Sequence, residues 1–353
     1  MKRRVAVFSV VPSPYQRDLF AALHARPEID LQVFYLEAAS PDSPWPEKPL
    51  ADYERILPGF WFSLGSARIH CNWGWPDLGS YDLVVLNSLM SLTAQFLMRA
   101  PLRRRPWIFL GEKLGERRSG WHGALTTPLH CAAGIAAIGR WAESDYKARF
   151  PGTPVFNLPY HCNLDGFFAQ EQRPVDGEVV FLFCGQMIAR KGLDLLLEAF
   201  SRLSRGRLLL AGREAELSAL LAPLPPDVRA RIEYAGFIAP EMLPAVFAKA
   251  HVFVLPSRYD GWGVVVNQAV AAGMPVICSD QVGAGYDLVE PSKNGLIFAA
   301  GNTDALDAAM RRFVEEPDLI GPWGAASRHL AQSWTPAQGA ARWSEAIEAV
   351  LSK

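Results

Sequence analysis

The chain has 353 residues, 50% hydrophobic and 11% aromatic, enough for two compact domains that each bury a core. With 35 basic against 36 acidic residues, a net charge of -1, it has no overall attraction for nucleic acid, and a duplex-DNA partner is not expected. The five cysteines are scattered and never spaced as CxxC, so neither a disulfide framework nor a zinc site is signalled, and they read as small buried residues in a reducing compartment.

The first apolar run, Val5 to Val11, stops at Pro12 and Pro14. It is too short for a secretion signal or a spanning helix, so a cytoplasmic location is expected, with contact at a membrane surface left open. Val5 to Ser9 reads as a strand, Val11 to Pro14 as a loop, and Gln16 to His24 as a helix carrying Leu19, Phe20 and Leu23 on one face. Further strands are predicted at Leu31 to Leu36, Asp82 to Leu86, Trp107 to Leu110, Gly134 to Ile138 and Val155 to Leu158, with helices over Leu89 to Met98 and Arg140 to Phe150. Pro41 to Pro76, rich in Pro and Trp, reads as one long irregular insertion, either folded on its own aromatics or shaping an acceptor site.

The polar stretch Ala169 to Gly177 then reads as a linker, and the same grammar restarts behind it. Strands follow at Val179 to Cys184, Leu208 to Ala211, Ile232 to Ala235, Val252 to Leu255, Pro275 to Cys278 and Leu296 to Phe298, with helices between, one of them over Pro240 to Ala250. Alternating strand and helix implies parallel sheets covered on both faces. The expected architecture is therefore α/β: two doubly wound Rossmann-like domains, residues 1–170 and 171–353, facing a cleft that holds the ligands. No Gly-x-Gly-x-x-Gly turn follows the first strand of either half, which argues against a dinucleotide dehydrogenase.

Two segments carry chemistry. Val252 to Leu255 runs through Asp260-Gly-Trp-Gly263 straight into a helix, so the amides of Gly263, Val264 and Val265 sit at a helix start, where unpaired N–H groups and the helix dipole attract an anion. Tight turn chemistry alone would also explain the glycines. The second segment, Phe183-Cys-Gly-Gln-Met-Ile-Ala-Arg-Lys-Gly192, also joins strand to helix, and Arg190 and Lys191 lie where cations oppose the dipole unless an anion lies between. A solvated charge pair is the plainer alternative.

Gly185…Lys191-Gly192, Ala235-Gly236-Phe237 and Pro256-Ser257…Asp260-Gly-Trp-Gly263…Gln268-Ala…Gly273-Met-Pro-Val276 together resemble the donor domain of retaining GT-B glycosyltransferases, specifically glycosyltransferase family 4. The likeness is strong over residues 179 to 300; Leu158 to Phe167 resembles the family's interdomain segment more weakly, and the final helix, about 334–351, resembles the one that returns to the N-terminal domain. The resemblance implies a nucleotide-diphosphate sugar held by the second domain and a hydroxyl acceptor held mainly by the first, lipid-linked in many relatives. Lys191 would neutralise the diphosphate, Asp260 would contact the sugar, Gln268 the ribose, Ile238 the base, and Gly185 and Gln186 would line the phosphate loop. Retention implies attack from the face the nucleotide leaves, with the departing phosphate taking the proton. Of the family's two acidic residues eight apart, the chain keeps the first charge with one methylene less reach at Asp260 and only hydrogen-bonding capacity at Gln268, and it has Gln186 where Arg is common; Arg190 is the substitute cation. No Asp-x-Asp pair or His/Cys cluster stands where a metal is expected, so no metal or other cofactor is predicted.

In the first half, Ser13, Tyr15 and Gln16 follow the first strand and are acceptor-side candidates, and Glu112 stands near where relatives carry a histidine beside the donor sugar. Glu112 and Lys113 read equally well as a solvated pair. His122, His130 and His161 receive no role. Arg99, Arg103, Arg104, Arg105 and Trp107, with Arg117, Arg118 and Trp121 nearby, form a basic and aromatic cluster suited to anionic headgroups or simply to a helix end. Val282 to Gly285 reads as a flexible loop near the donor sugar. The leading expectation is a retaining glycosyltransferase in polysaccharide, glycolipid or other glycoconjugate synthesis. A catalytically silent relative that binds a nucleotide or a partner, and a nucleotide-sugar epimerase, are the alternatives.

Overall fold

The computed structural model describes residues 2–39, 48–65, 67–115, 120–171 and 174–352, without the side chains of residues 121 and 122. It divides into two compact units, Met1–Cys162 with Pro336–Lys353, and Asn163–Thr335.

In the first unit the strands are β1 (Arg3–Ser9), β2 (Ile29–Tyr35), β3 (Glu54–Ile56), β4 (Gly59–Leu64), β5 (Ala67–Asn72), β6 (Leu83–Leu86), β7 (Trp107–Gly111), β8 (Gly134–Ala137) and β9 (Val155–Asn157). Seven of them form a sheet in the order β3-β2-β1-β6-β7-β8-β9, with every neighbour parallel. Strands such as Leu83-Val-Val-Leu86 are buried at every position, as a sheet covered on both faces requires. The core on one side includes Phe8, Phe34, Leu97, Trp107, Phe109 and Tyr146. Helices Pro14–His24 and Pro336–Leu351 pack against each other, and Arg3 holds the latter by a two-pronged bond to Glu348, 2.7 and 2.8 Å.

The second unit contains β10 (Val180–Cys184), β11 (Arg207–Ala211), β12 (Ile232–Tyr234), β13 (Val252–Leu255), β14 (Val276–Ser279) and β15 (Gly295–Phe298). They pair parallel in the order β12-β11-β10-β13-β14-β15, the doubly wound arrangement in which chain direction across the sheet reverses between β10 and β13. Loops leaving the carboxyl ends of those two strands border the topological switch point, where open α/β sheets take their ligands.

Two expectations change. The division expected at residues 170 and 171 lies earlier, after Cys162. The reason is local packing: the short helix Asp165–Phe168 sets Phe167 edge-on to Phe247 at 5.2 Å, and Arg328 donates to the carbonyls of Phe168 and Gln170. The closing helix Pro336–Leu351, expected to return toward the N-terminal domain, groups with the first unit. The stretch read as irregular contains β3, added to the main sheet, and an antiparallel ribbon of β4 and β5. Tertiary contacts override its Pro content: Glu54, its side chain fully buried, accepts from Arg17 Nε (2.9 Å), the Tyr35 hydroxyl (2.6 Å) and the Ala51 amide (2.8 Å).

Candidate functional site

The loops after β10 and β13 are stitched together. Arg258 donates its backbone N–H to Arg190 O (2.8 Å) and its guanidinium to Ala189 O (2.6 Å), while Arg190 Nη1 donates to Tyr259 O (3.0 Å). Arg258 also grips both oxygens of Asp194 in the first turn of helix Leu193–Ser201, at 2.7 Å each. That guanidinium holds the Asp194 carboxyl below its ordinary range. Gly192 has φ +71°, and a Cβ there would lie 2.0 Å from the Pro256 carbonyl oxygen, so only glycine lets the loops meet.

Lys191 and Asp260 close the contact as an ion pair, their side chains 15% and 12% exposed. Asp260 is pinned through its own backbone: its N–H donates to Gln281 O (2.8 Å) and its C=O accepts from the Gly283 amide (3.0 Å). A Cβ on Gly283 would stand 2.1 Å from Gly261 O, so that approach also needs glycine. Residues 282–285, read from sequence as a flexible loop, are instead buried against Gly261 and Trp262, because this pairing uses their backbone. Helix Val264–Ala271 begins at Gly263, φ +89°, and its first closing bond runs from Val266 N to Gly263 O (2.9 Å). The amides of Gly263, Val264 and Val265 precede that bond and have no intrahelical acceptor. Trp262 anchors the turn, buried, with Nε1–H donating to Asn267 Oδ1 (2.9 Å) and its ring stacked on Trp334 at 5.8 Å.

The remaining candidates of this unit surround that core. Gly185 and Gln186 lead the β10 loop, whose next amide, Met187, donates to Arg213 O (3.1 Å). Gln268 lies one turn into the helix that starts at Gly263, half-buried. Ile238 follows β12 at the sheet edge, in the loop where Gly236 O accepts the Gly212 amide (2.9 Å). Sequence reasoning missed Arg258 as the brace between the loops, although it stood between Leu255 and Asp260 in the first of the two segments singled out. It also missed Gly212, where a Cβ would lie 2.1 Å from Gly185 O.

In the first unit Tyr15, Gln16 and Glu112 converge on one residue the sequence did not single out, Tyr160. The Tyr15 and Tyr160 rings meet edge-on at 5.0 Å, Gln16 is hydrogen-bonded to Tyr160, and burial first, then the negative charge of Glu112, push the Tyr160 hydroxyl far above its usual range. Ser13 is turned inward, 2% exposed, its hydroxyl donating to Gln16 Oε1 (3.0 Å). Lys113 lies over the Trp141 ring, 4.6 Å from its centre.

The basic and aromatic cluster is not one surface. Trp107 is core, 1% exposed, because it occupies β7, an interior strand of the sheet, and Arg99 turns back to the carbonyls of Gln95 and Ala124. Arg103 and Arg104 are exposed, whereas Arg117 and Arg118 lie outside the described residues. Among the described residues no three His, Cys, Asp or Glu side chains gather as a metal site, and no helix is long and apolar enough to cross a membrane.

Residues 178–316 match the family model described as Glycosyl transferases group 1. The chain is 26% identical over 197 residues to alpha-D-kanosaminyltransferase of Streptomyces kanamyceticus, covering 50% of this chain and 49% of that one. It is 31% identical over 231 residues to the GDP-mannose-dependent alpha-(1-6)-phosphatidylinositol monomannoside mannosyltransferase of Mycobacterium tuberculosis, covering 59% and 58%. It thus spans only about half the length of these curated relatives. Among solved structures, sucrose-phosphate synthase of Thermosynechococcus elongatus superposes with a TM-score of 0.76 at 19% identity, over 99% of this chain and 100% of that one. HepE of Anabaena, in complex with UDP, gives 0.74 at 15% identity, over 99% and 100%. The chain therefore has the two-domain α/β fold of GT-B type, and its residues 178–316 are similar to the Glycosyl transferases group 1 model.

Proposed function

We propose that the protein is a retaining glycosyltransferase of the family 4 type, moving a sugar from a nucleotide-diphosphate donor to a hydroxyl acceptor in glycoconjugate synthesis. One observation carries the reading: Lys191, Asp260 and the open amides of Gly263 to Val265 stand on two loops locked together at the switch point of the second sheet. The diphosphate lies against Lys191 and those amides, which stabilise the charge that grows as the bond from C1 to the phosphate oxygen breaks. Asp260 accepts hydrogen bonds from sugar hydroxyls and Gln268 from the ribose side. The acceptor oxygen forms its bond to C1 on the same face, and its proton passes to the departing phosphate. No step calls for a metal ion, since Lys191 and the peptide donors supply the positive field.

The acceptor belongs to the first unit, whose Tyr15, Gln16 and Glu112 gather around Tyr160. A lipid-linked acceptor met at the inner membrane surface suits the aromatic ribbon, where Phe60, Trp61, Phe62 and Leu64 are 55%, 45%, 42% and 68% exposed. The test is a transfer assay with purified protein, a panel of nucleotide sugars and acceptor extracts, with chelator added to one arm. Turnover of one donor with retained anomeric configuration is expected, lowered about 100-fold or more by Lys191→Ala. Nucleotide binding without transfer to any acceptor would point to the silent relative, and indifference to Lys191→Ala would remove the site from the chemistry.

A further inference from the structure

The cation expected on the diphosphate already has an internal partner: Lys191 is paired with Asp260. Each side chain is mostly out of water, 15% and 12% exposed, so each charge depends on the other for its neutralisation. The carboxylate cannot escape by a small loop shift, since its backbone is tied through N–H and C=O to Gln281 and Gly283 at 2.8 and 3.0 Å. It also faces the helix start, with Oδ2 only 3.4 Å from where a Cβ of Gly263 would stand. An anion that draws Lys191 away therefore leaves a fixed, largely desolvated carboxylate in need of new donors.

We propose that Asp260 makes the site tell a sugar-bearing nucleotide from a bare nucleoside diphosphate, by competing with the diphosphate for Lys191. A hexose brings hydroxyl donors that satisfy the carboxylate when Lys191 moves to the phosphates. A bare diphosphate brings none and adds negative charge beside it, so the spent nucleotide is held less well than the loaded donor. This rests on the reading of Lys191 and the helix start as a diphosphate site.

Calorimetry decides it with UDP, GDP and ADP, and with UDP-glucose, GDP-mannose and ADP-glucose as their loaded partners. Asp260→Asn is expected to tighten the bare nucleotide about tenfold relative to its sugar partner, and that gain is expected to vanish in a Lys191→Met background. Asp260→Ser, which also removes the charge, gives the same reading if the Asn variant does not fold. No relative gain in either variant overturns the inference and leaves the diphosphate site standing. An equal gain with and without Lys191 also overturns it, because simple repulsion by Asp260 would then be the cause. Binding of no nucleotide by wild type or variants overturns the diphosphate site, and the inference with it.

Discussion

The loops after the first strand of each unit follow one grammar, strand to loop to helix, and end in opposite states. After β1, the hydroxyls of Ser9 and Ser13 both donate to Gln16 Oε1 at 3.0 Å, Pro14 opens the helix without an N–H, and Ser13 and Gln16 are 2% and 5% exposed. After β10, Gly185 and Gln186 stay half-buried, Lys191 reaches the neighbouring loop, and glycine at position 192 lets that loop come into backbone contact. The lesson concerns satisfaction: where polar groups along the turn can answer one another, the junction closes into structure. Where glycines bring cations and amides together without an internal partner for every one, an anion can complete them.

The widest gap between the loops should appear on adding one methyl group. Gly192→Ala forces a left-handed residue against the Pro256 carbonyl, and a cost of about 3 kcal/mol to the second unit is expected, together with loss of nucleotide binding. Ser13→Ala, in contrast, removes one of two hydroxyls on Gln16 and should cost about 1 kcal/mol with nucleotide affinity untouched. Urea unfolding and calorimetry read both. Wild-type affinity in Gly192→Ala would mean that contact between the loops is not what builds the site.

The glycines, the Lys191 loop and the Asp260 turn were legible because strand-to-helix junctions write their needs in local sequence: a turn needs glycine, and an anion site needs cations and a helix start. The acceptor-side candidates were legible only as neighbours of a strand. Their meeting point, Tyr160, is far along the chain, and no local pattern announces a contact made by topology. The ribbon of β4 and β5 was hidden for the same reason, its Pro-rich surroundings outweighing an alternation too short to register. Trp107 misled because an aromatic after three arginines looks like surface, while the sheet makes it core.

A pH titration should separate the units next. His161, buried against the helix at Gly339, has its imidazole pulled down to about 4, chiefly by burial, while its Nδ1 faces the Pro159 carbonyl at 2.9 Å. A histidine lowered in the folded state binds its proton first in the unfolded chain, so stability is complete above about pH 6.5 and falls as the pH drops toward 4. From pH 7.5 to 5 the loss should be about 2 kcal/mol, confined to the first unit, and His161→Gln should flatten it. An equal slope in wild type and variant would assign the loss to other groups.

The smallest effect should come from Gln268, the position in the second unit where charge is missing relative to the family it resembles. It sits one turn into the helix that starts at Gly263, where a carboxylate would accept a stronger, charge-assisted bond from a ribose hydroxyl. The same carboxylate would stand near a diphosphate and repel it, so the two effects partly cancel. Gln268→Glu is expected to tighten nucleotide binding by no more than about fivefold, about 1 kcal/mol, and only for nucleotides that keep both ribose hydroxyls. The 2′,3′-dideoxy analogue should lose that gain and show only the repulsion. If instead the dideoxy analogue gains as much as the parent, the side chain at 268 is not facing the ribose, and its likeness to the family position is one of sequence spacing alone.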